Sequence, residues 1–143
     1  MQNIHPLIVH FPIALLTIGI VFDVLGLLSK NNELSRVGWW MHVAGTFGLM
    51  AAVVTGLLAH QTVVISAAAH DAFEHHEQIA FIVSAVFAAL LLWRIASRTQ
   101  LPQRYRILFL VLFLFGLVVM WLGAWYGGEM VYRFGVGGHS IQR

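Results

Sequence analysis

Cysteine is absent from this sequence of 143 residues, and charged residues are scarce, at 10% of the chain. The lack of cysteine excludes disulfide bonds, thiolate zinc sites and iron–sulfur clusters, so any metal would be held by histidine, carboxylate or methionine. A soluble domain carries about 25% charged residues, whereas this chain is 59% hydrophobic and has a mean hydropathy of +0.82. The composition therefore indicates an integral membrane protein.

Sequence signatures of common catalytic sites are also missing. No nucleophile stands beside a base at a recognisable spacing, and no glycine-rich phosphate loop is present. The basic residues that give a formal net charge of +2 are explained by membrane topology, so they are no reason to expect nucleic-acid binding. Whether the protein is an enzyme stays open, but an electron-transfer or binding subunit is favoured over a stand-alone enzyme.

Four apolar segments are long enough to cross a membrane, since a hydrocarbon core of about 30 Å needs about 20 helical residues. They are residues 6–28, 37–60, 71–97 and 105–127. The short connections predict an all-α, antiparallel four-helix bundle, with residues 1–143 forming a single transmembrane domain. A cleaved signal peptide is not expected, because no basic stretch precedes the first span. Pro12 predicts a kink near the outer end of that span.

The basic residues predict the orientation of the bundle. Six of the eight Lys and Arg residues fall in or beside two connections: Lys30, Arg36, Arg94, Arg98, Arg104 and Arg106. Because cytoplasmic loops accumulate these residues, we expect both chain termini on the extracytoplasmic side. The predicted location is the inner, cytoplasmic membrane of a bacterium, with the protein crossing it several times in contact with lipid. Self-association is compatible with this pattern.

This topology places seven of the eight histidines on the extracytoplasmic side. They are His5, His10, His60, His70, His75, His76 and His139. Imidazole is expensive in hydrocarbon and is the commonest metal ligand. The concentration of histidine therefore predicts a metal or haem site on that side.

His10 and His75 are the predicted axial ligands of a haem iron. Each lies about one turn inside the outer end of its helix, and the stripe that follows His75, through Gln78 and Ala85, has the small and polar side chains of an interior face. Two neutral imidazoles at equal depth on facing helices can ligate a b-type haem. The doubled His75-His76 leaves open which of the two is the ligand. The residues predicted to bind the cofactor are His10, His75, His5, His76 and His60.

Three functions are compatible with these histidines. The first is a b-type cytochrome subunit that passes electrons between a quinol or a redox partner protein and an external acceptor. The second is a site for a copper, zinc or iron ion, built from histidine and the carboxylates Glu74, Glu77 and Glu129. The third is a structural subunit without a cofactor, whose histidines are pH-sensitive surface groups.

Asp23 lies within the first span, where a carboxylate is costly and normally faces a partner. By depth, Arg94 is the nearest predicted counterion and His42 is another. His42, the one histidine toward the cytoplasmic side, is expected to form a hydrogen bond between helices.

Several motifs together resemble the DUF2231 family of bacterial four-helix membrane proteins. They are HPLIVHFPIAL at residues 5–15, Phe22-Asp23, Thr55-Gly56 and the tail GGEMVYRFGVG at residues 127–137. The resemblance spans nearly the whole chain. It implies four transmembrane helices, sometimes fused to or encoded near redox modules such as Rieske domains, and it emphasises His5, His10, His75 and the tail. It supplies no established activity.

Overall fold

The computed structural model describes residues 4–98 and 101–137. Its helices are α1 (His5–Ile8), α2 (His10–Ser29), α3 (Asn32–His60), α4 (His70–Ala96) and α5 (Arg106–Tyr132), with a short 3₁₀ turn at Ala67–Ala69 before α4. Within these residues, four spans are long and apolar enough to cross a membrane: His5–Ser29, Asn32–His60, Ala67–Ala96 and Arg106–Tyr132. The described residues contain no strand. The prediction of an all-α membrane protein with four spanning helices is confirmed.

Two helices are longer than the hydropathy pattern predicts. α3 begins at Asn32, because the side chain of Asn31 accepts a hydrogen bond from the amide of Glu33 and caps the first turn. α5 continues through Gly127 and Gly128 to Tyr132. Near a membrane the intrahelical hydrogen bonds satisfy the backbone, and this gain outweighs the low helix propensity of glycine.

The first span is interrupted at Val9, between α1 and α2. Pro12 lacks the amide that would bond to the carbonyl of Ile8, and its ring crowds that carbonyl. The amide of Val9 still bonds to the carbonyl of His5, at 3.1 Å. Pro12 therefore interrupts the helical hydrogen bonding of the first span, while Val9 keeps helical backbone angles, with φ −61° and ψ −23°. The kink itself stays a prediction.

The bundle consists of two helical hairpins. α2 and α3 pack along each other, as do α4 and α5, while the two hairpins meet less extensively along a line that we call the seam. Glycines allow the close approach of α2 and α3: Gly45 lies against Leu16, and Gly19 lies against Met41. Large side chains fill the centre between the hairpins, among them Phe87, Phe109, Phe113 and Leu117.

The buried face of α4 differs from the predicted one by one residue. Val83, Phe87, Leu90 and Arg94 are buried. The predicted interior stripe is exposed instead, at His75, Gln78, Ile82, Ala85 and Ala89. The prediction failed because aromatic side chains, and not small ones, fill the space between the hairpins. It follows that His75 lies on the surface.

The packing of Gly45 leads to a stability prediction. A Cβ at this position would lie 2.6 Å from Cγ of Leu16, and overpacking of this kind costs about 1–3 kcal/mol. We expect Gly45→Ala to lower the free energy of unfolding by this amount, measured by SDS titration in mixed micelles with far-UV circular dichroism. Gly128→Ala is the control, since a Cβ there meets nothing within 4 Å. Equal stability of the two variants would contradict the packing shown here.

Candidate metal centre

Two histidines from different hairpins meet across the seam. His5 on α1 and His76 on α4 have ring centroids 6.1 Å apart, with the ring planes at 81° to each other. Both side chains are half-buried. They lie where the end of α3, the start of α4 and the end of α5 come together, which we call the histidine end of the bundle.

The imidazole of His76 is oriented by the backbone of α5. Its Nδ1 lies 2.7 Å from the carbonyl oxygen of Gly123. A carbonyl only accepts, so Nδ1 carries the hydrogen and donates it, which leaves Nε2 as the basic nitrogen of the neutral ring. Histidines that bind metals usually donate their other ring hydrogen in this way. The backbone of α5 comes close because residue 127 is glycine: a Cβ there would lie 3.1 Å from Cε1 of His76.

The imidazole of His5 is held in a similar way by α3. Its Nδ1 lies 3.2 Å from Oγ1 of Thr55. That hydroxyl donates its one hydrogen to backbone carbonyls of the preceding turn, at 2.9 Å from Ala51 and 3.0 Å from Ala52, so it accepts from His5. A glycine again lies beside the ring, since a Cβ at Gly56 would be 3.1 Å from Cε1 of His5. Each imidazole is therefore oriented at Nδ1 and packed against a glycine of a neighbouring helix.

The predicted ligand pair His10 and His75 does not face the interior. Both side chains are exposed, and each donates from Nδ1 to the preceding turn of its own span: His10 to the carbonyl of Pro6 at 2.6 Å, and His75 to that of Asp71 at 2.7 Å. His75 also stacks on Tyr126, with ring centroids 5.2 Å apart. The predicted inward orientation is wrong, because the buried face of the first span passes through Pro12, about 200° around the helix from His10, and the buried face of α4 passes through residue 76.

The other histidines of this end are engaged elsewhere or lie outside the described residues. His60 is exposed and packs on Phe73, with centroids 4.5 Å apart. The Nε2 of His70 lies 3.2 Å from a carboxylate oxygen of Glu74, and Glu129 pairs with Arg133. His139 lies outside the described residues. Within residues 4–98 and 101–137, no three histidine or carboxylate side chains converge on a point that could hold a metal ion.

A buried ion pair lies toward the opposite end of the bundle. Arg94 donates to both carboxylate oxygens of Asp23, at 2.6 Å each, and both side chains are 0% exposed. The guanidinium also donates to the carbonyl of Ser35 at 3.1 Å and lies 5.7 Å from the ring centre of Trp39. Such bidentate pairing satisfies charges that would be costly in lipid. The predicted pairing of Asp23 with Arg94 is confirmed.

His42 belongs to the aromatic core and not to the histidine end. It is 0% exposed, and its ring centroid lies 4.9 Å from that of Phe113. Its Nε2 is 3.4 Å from the carbonyl of Phe87, so it links α3 to α4 as predicted. Its Nδ1 has no hydrogen-bond partner among the described residues.

Four apolar helices, with the buried charges of Asp23 and Arg94 paired to each other, define an integral membrane protein of the four-helix class. The model of the family described as "Predicted membrane protein (DUF2231)" matches residues 1–140, so the chain belongs to the DUF2231 family. The resemblance found from the sequence motifs is confirmed. No curated protein and no solved structure matches the chain.

Proposed function

We propose that this protein binds a b-type haem between its two hairpins, with His5 and His76 as axial ligands, and transfers electrons in the membrane. The observation that carries the proposal is the meeting of these two rings across the seam. Their ring centroids lie 6.1 Å apart. Since a metal bound to imidazole lies about 2 Å from the ring nitrogen, both side chains are close enough to hold one metal.

Among the described residues, the pair of imidazoles is a ligand set for haem rather than for a single metal ion. A haem iron needs at most two protein ligands, whereas zinc and similar ions need three or four. Among the described residues, no third histidine or carboxylate joins the pair. A bound haem supplies one-electron chemistry, while the protein holds the ligands and sets their orientation.

The surroundings of the two imidazoles hold both rings in place at the seam. Gly56 and Gly127 present backbone without side chains beside the rings, and the two hairpins are less tightly joined to each other than the helices within each hairpin. Thr55 and the carbonyl of Gly123 fix the two rings at Nδ1. Hydrogen bonds of this kind, made by the ring nitrogen that does not bind the metal, are typical of histidine ligands.

In the proposed orientation, the histidine end lies at the extracytoplasmic face of the inner membrane of a bacterium. The basic residues Lys30, Arg36, Arg104 and Arg106 lie at the other end of the helices, as expected for a cytoplasmic face. A cofactor near the outer surface would accept electrons from a quinol or a partner cytochrome and pass them to an external acceptor.

The experiment that tests the proposal is a reduced-minus-oxidised absorption spectrum of the purified protein, together with haem and metal analysis. We expect a Soret band and an α band, with about one haem per chain for one pair of axial ligands. A folded protein that shows neither band after expression with added haem would contradict the proposal. Stoichiometric copper, zinc or non-haem iron without haem would also contradict it and would favour the ion site.

Gly127 gives a test that leaves both ligands in place. A Cβ at this position would press on the ring of His76. We expect Gly127→Ala to weaken haem binding about tenfold or more, the usual effect of disturbing the contacts that orient a ligand. The measurement is a haem titration of the apoprotein in detergent. Gly128→Ala, whose Cβ meets nothing within 4 Å, should bind haem like the wild type, and an equal loss in both variants would contradict the assignment of His76.

A further inference from the structure

A second candidate site lies at the end of the bundle opposite the histidine pair. A cleft of about 610 Å³ opens between the α2–α3 connection and the start of α5. Its polar and aromatic lining includes Lys30, Asn32, Glu33, Arg36, Trp39 and Arg106. The three cations come from three separate segments of the chain, and Glu33 is the one acidic residue among the described residues of the lining.

The buried ion pair fixes one wall of this cleft. The carbonyl of Ser35, a lining residue, accepts a hydrogen bond from Arg94. Gly26 of α2 lies so close that a Cβ there would collide with the side chain of Ser35. The charge of Arg94 is matched by Asp23. The positive charge facing the cleft is therefore that of Lys30, Arg36 and Arg106, on a wall held by the packing of α2 and α3.

We propose that this cleft binds the phosphate headgroup of an anionic phospholipid. It lies at the ends of three apolar spans, where headgroups are found. One guanidinium group can donate two parallel hydrogen bonds to the oxygens of a phosphate. Basic pockets between transmembrane helices recognise anionic headgroups. Apolar residues next to the cleft face outward, with Leu28 75% and Ile107 72% exposed, and acyl chains can pack on them. This apolar rim favours a lipid over a free phosphate ion.

Glu33 opposes the proposed ligand. It pairs with Arg36 one helical turn away, and both side chains are about two-thirds exposed, at 67% and 68%. An exposed pair of this kind is weak, so an arriving phosphate can take its place. Removing the carboxylate of Glu33 should leave Arg36 available to bind the phosphate, and it should also remove the repulsion between that carboxylate and the headgroup. Glu33→Gln is therefore expected to strengthen lipid binding.

The test is native mass spectrometry of the full chain released from micelles that contain phosphatidylglycerol or phosphatidylcholine in equal amounts. We expect phosphatidylglycerol to be retained preferentially. Losing one basic contact should weaken its binding about fivefold, so Arg106→Gln should reduce the preference, the double variant Arg36→Gln/Arg106→Gln should lose it and Glu33→Gln should increase it. Arg104→Gln is the matched control, since Arg104 lies at the same end over the ring of Tyr105 and outside the lining of the cleft.

Three results would overturn the proposal. The first is equal retention of the two lipids by the wild type. The second is an equal loss in Arg104→Gln and in Arg106→Gln, since net charge alone would then explain binding. The third is displacement of phosphatidylglycerol by inorganic phosphate at equal concentration, which would make free phosphate the ligand. Persistence of the lipid in that competition supports the headgroup assignment.

Discussion

Replacing Arg94 with methionine is expected to lower the free energy of unfolding by about 3–5 kcal/mol, because Asp23 would be left as an unpaired charge inside the bundle. Both side chains are 0% exposed and joined by two hydrogen bonds of 2.6 Å. Loss of the guanidinium also removes a hydrogen bond to Ser35. Unfolding by SDS in mixed micelles, followed by far-UV circular dichroism, measures the effect.

Two controls separate the buried charge from the loss of an arginine. Arg36→Met removes the exposed pair with Glu33 and should cost less than about 1 kcal/mol. The double variant Asp23→Asn/Arg94→Met removes both charges and should be more stable than Arg94→Met alone, because no uncompensated charge is left. Equal losses for Arg94→Met and Arg36→Met would contradict the role given to the buried pair.

Replacing His76 with alanine is expected to abolish haem retention, whereas replacing its neighbour His75 should leave the haem content unchanged. The two residues are adjacent in sequence, but His76 meets His5 across the seam and His75 stacks on Tyr126 at the surface. Disturbing a contact that only orients a ligand costs about 10–100-fold in affinity, so losing the ligand itself should cost at least as much. Haem per purified chain is the measurement.

The same comparison can be made on the first span. His5→Ala should lose haem, whereas His10→Ala should keep it, since His10 is exposed and bonded to its own helix. Circular dichroism of all four variants checks that each is folded. If His10→Ala or His75→Ala lost the haem while His5→Ala and His76→Ala kept it, the ligand assignment would be wrong.

Features that depend on position along the chain could be predicted from the sequence. Helix length and hydropathy identify the four spans, because the thickness of the membrane sets the length of a span. The break at Val9 follows from Pro12, whose effect on the preceding turn is local. The pairing of Asp23 with Arg94 follows from depth, since a buried charge needs a partner at its own level.

Features that depend on rotation about a helix axis could not be predicted in the same way. His75 and His76 lie at nearly the same depth, and the packing partners of α4 decide which of them is buried. Small residues were a poor guide on α4, because Phe87 and Phe113 fill the space between the hairpins. Arg94, the predicted partner of Asp23, was a better guide to the buried face of α4. Because Arg94 must face the interior, residues spaced from it by three or four should also be buried, and this spacing leads through Leu90, Phe87 and Val83 to residue 76.

The glycines beside the histidine rings were also missed. Gly127 stands in a run that suggests turns when considered alone, and its contact with His76 appears only once α5 is known to continue to Tyr132. Gly56 follows Thr55 in a motif of the family, but its contact with His5 joins α3 to α1. Both contacts join residues far apart in the sequence, so local patterns do not show them.

The most direct test of the His5–His76 pair is the electron paramagnetic resonance spectrum of the ferric protein in detergent. The rings of His5 and His76 face each other across the seam, with centroids 6.1 Å apart, and two imidazoles together would hold a haem iron in the low-spin state. We predict a low-spin spectrum in the wild type and its loss in His5→Ala and in His76→Ala. A high-spin wild-type spectrum, or a low-spin spectrum that persists in either variant, would contradict coordination by this pair.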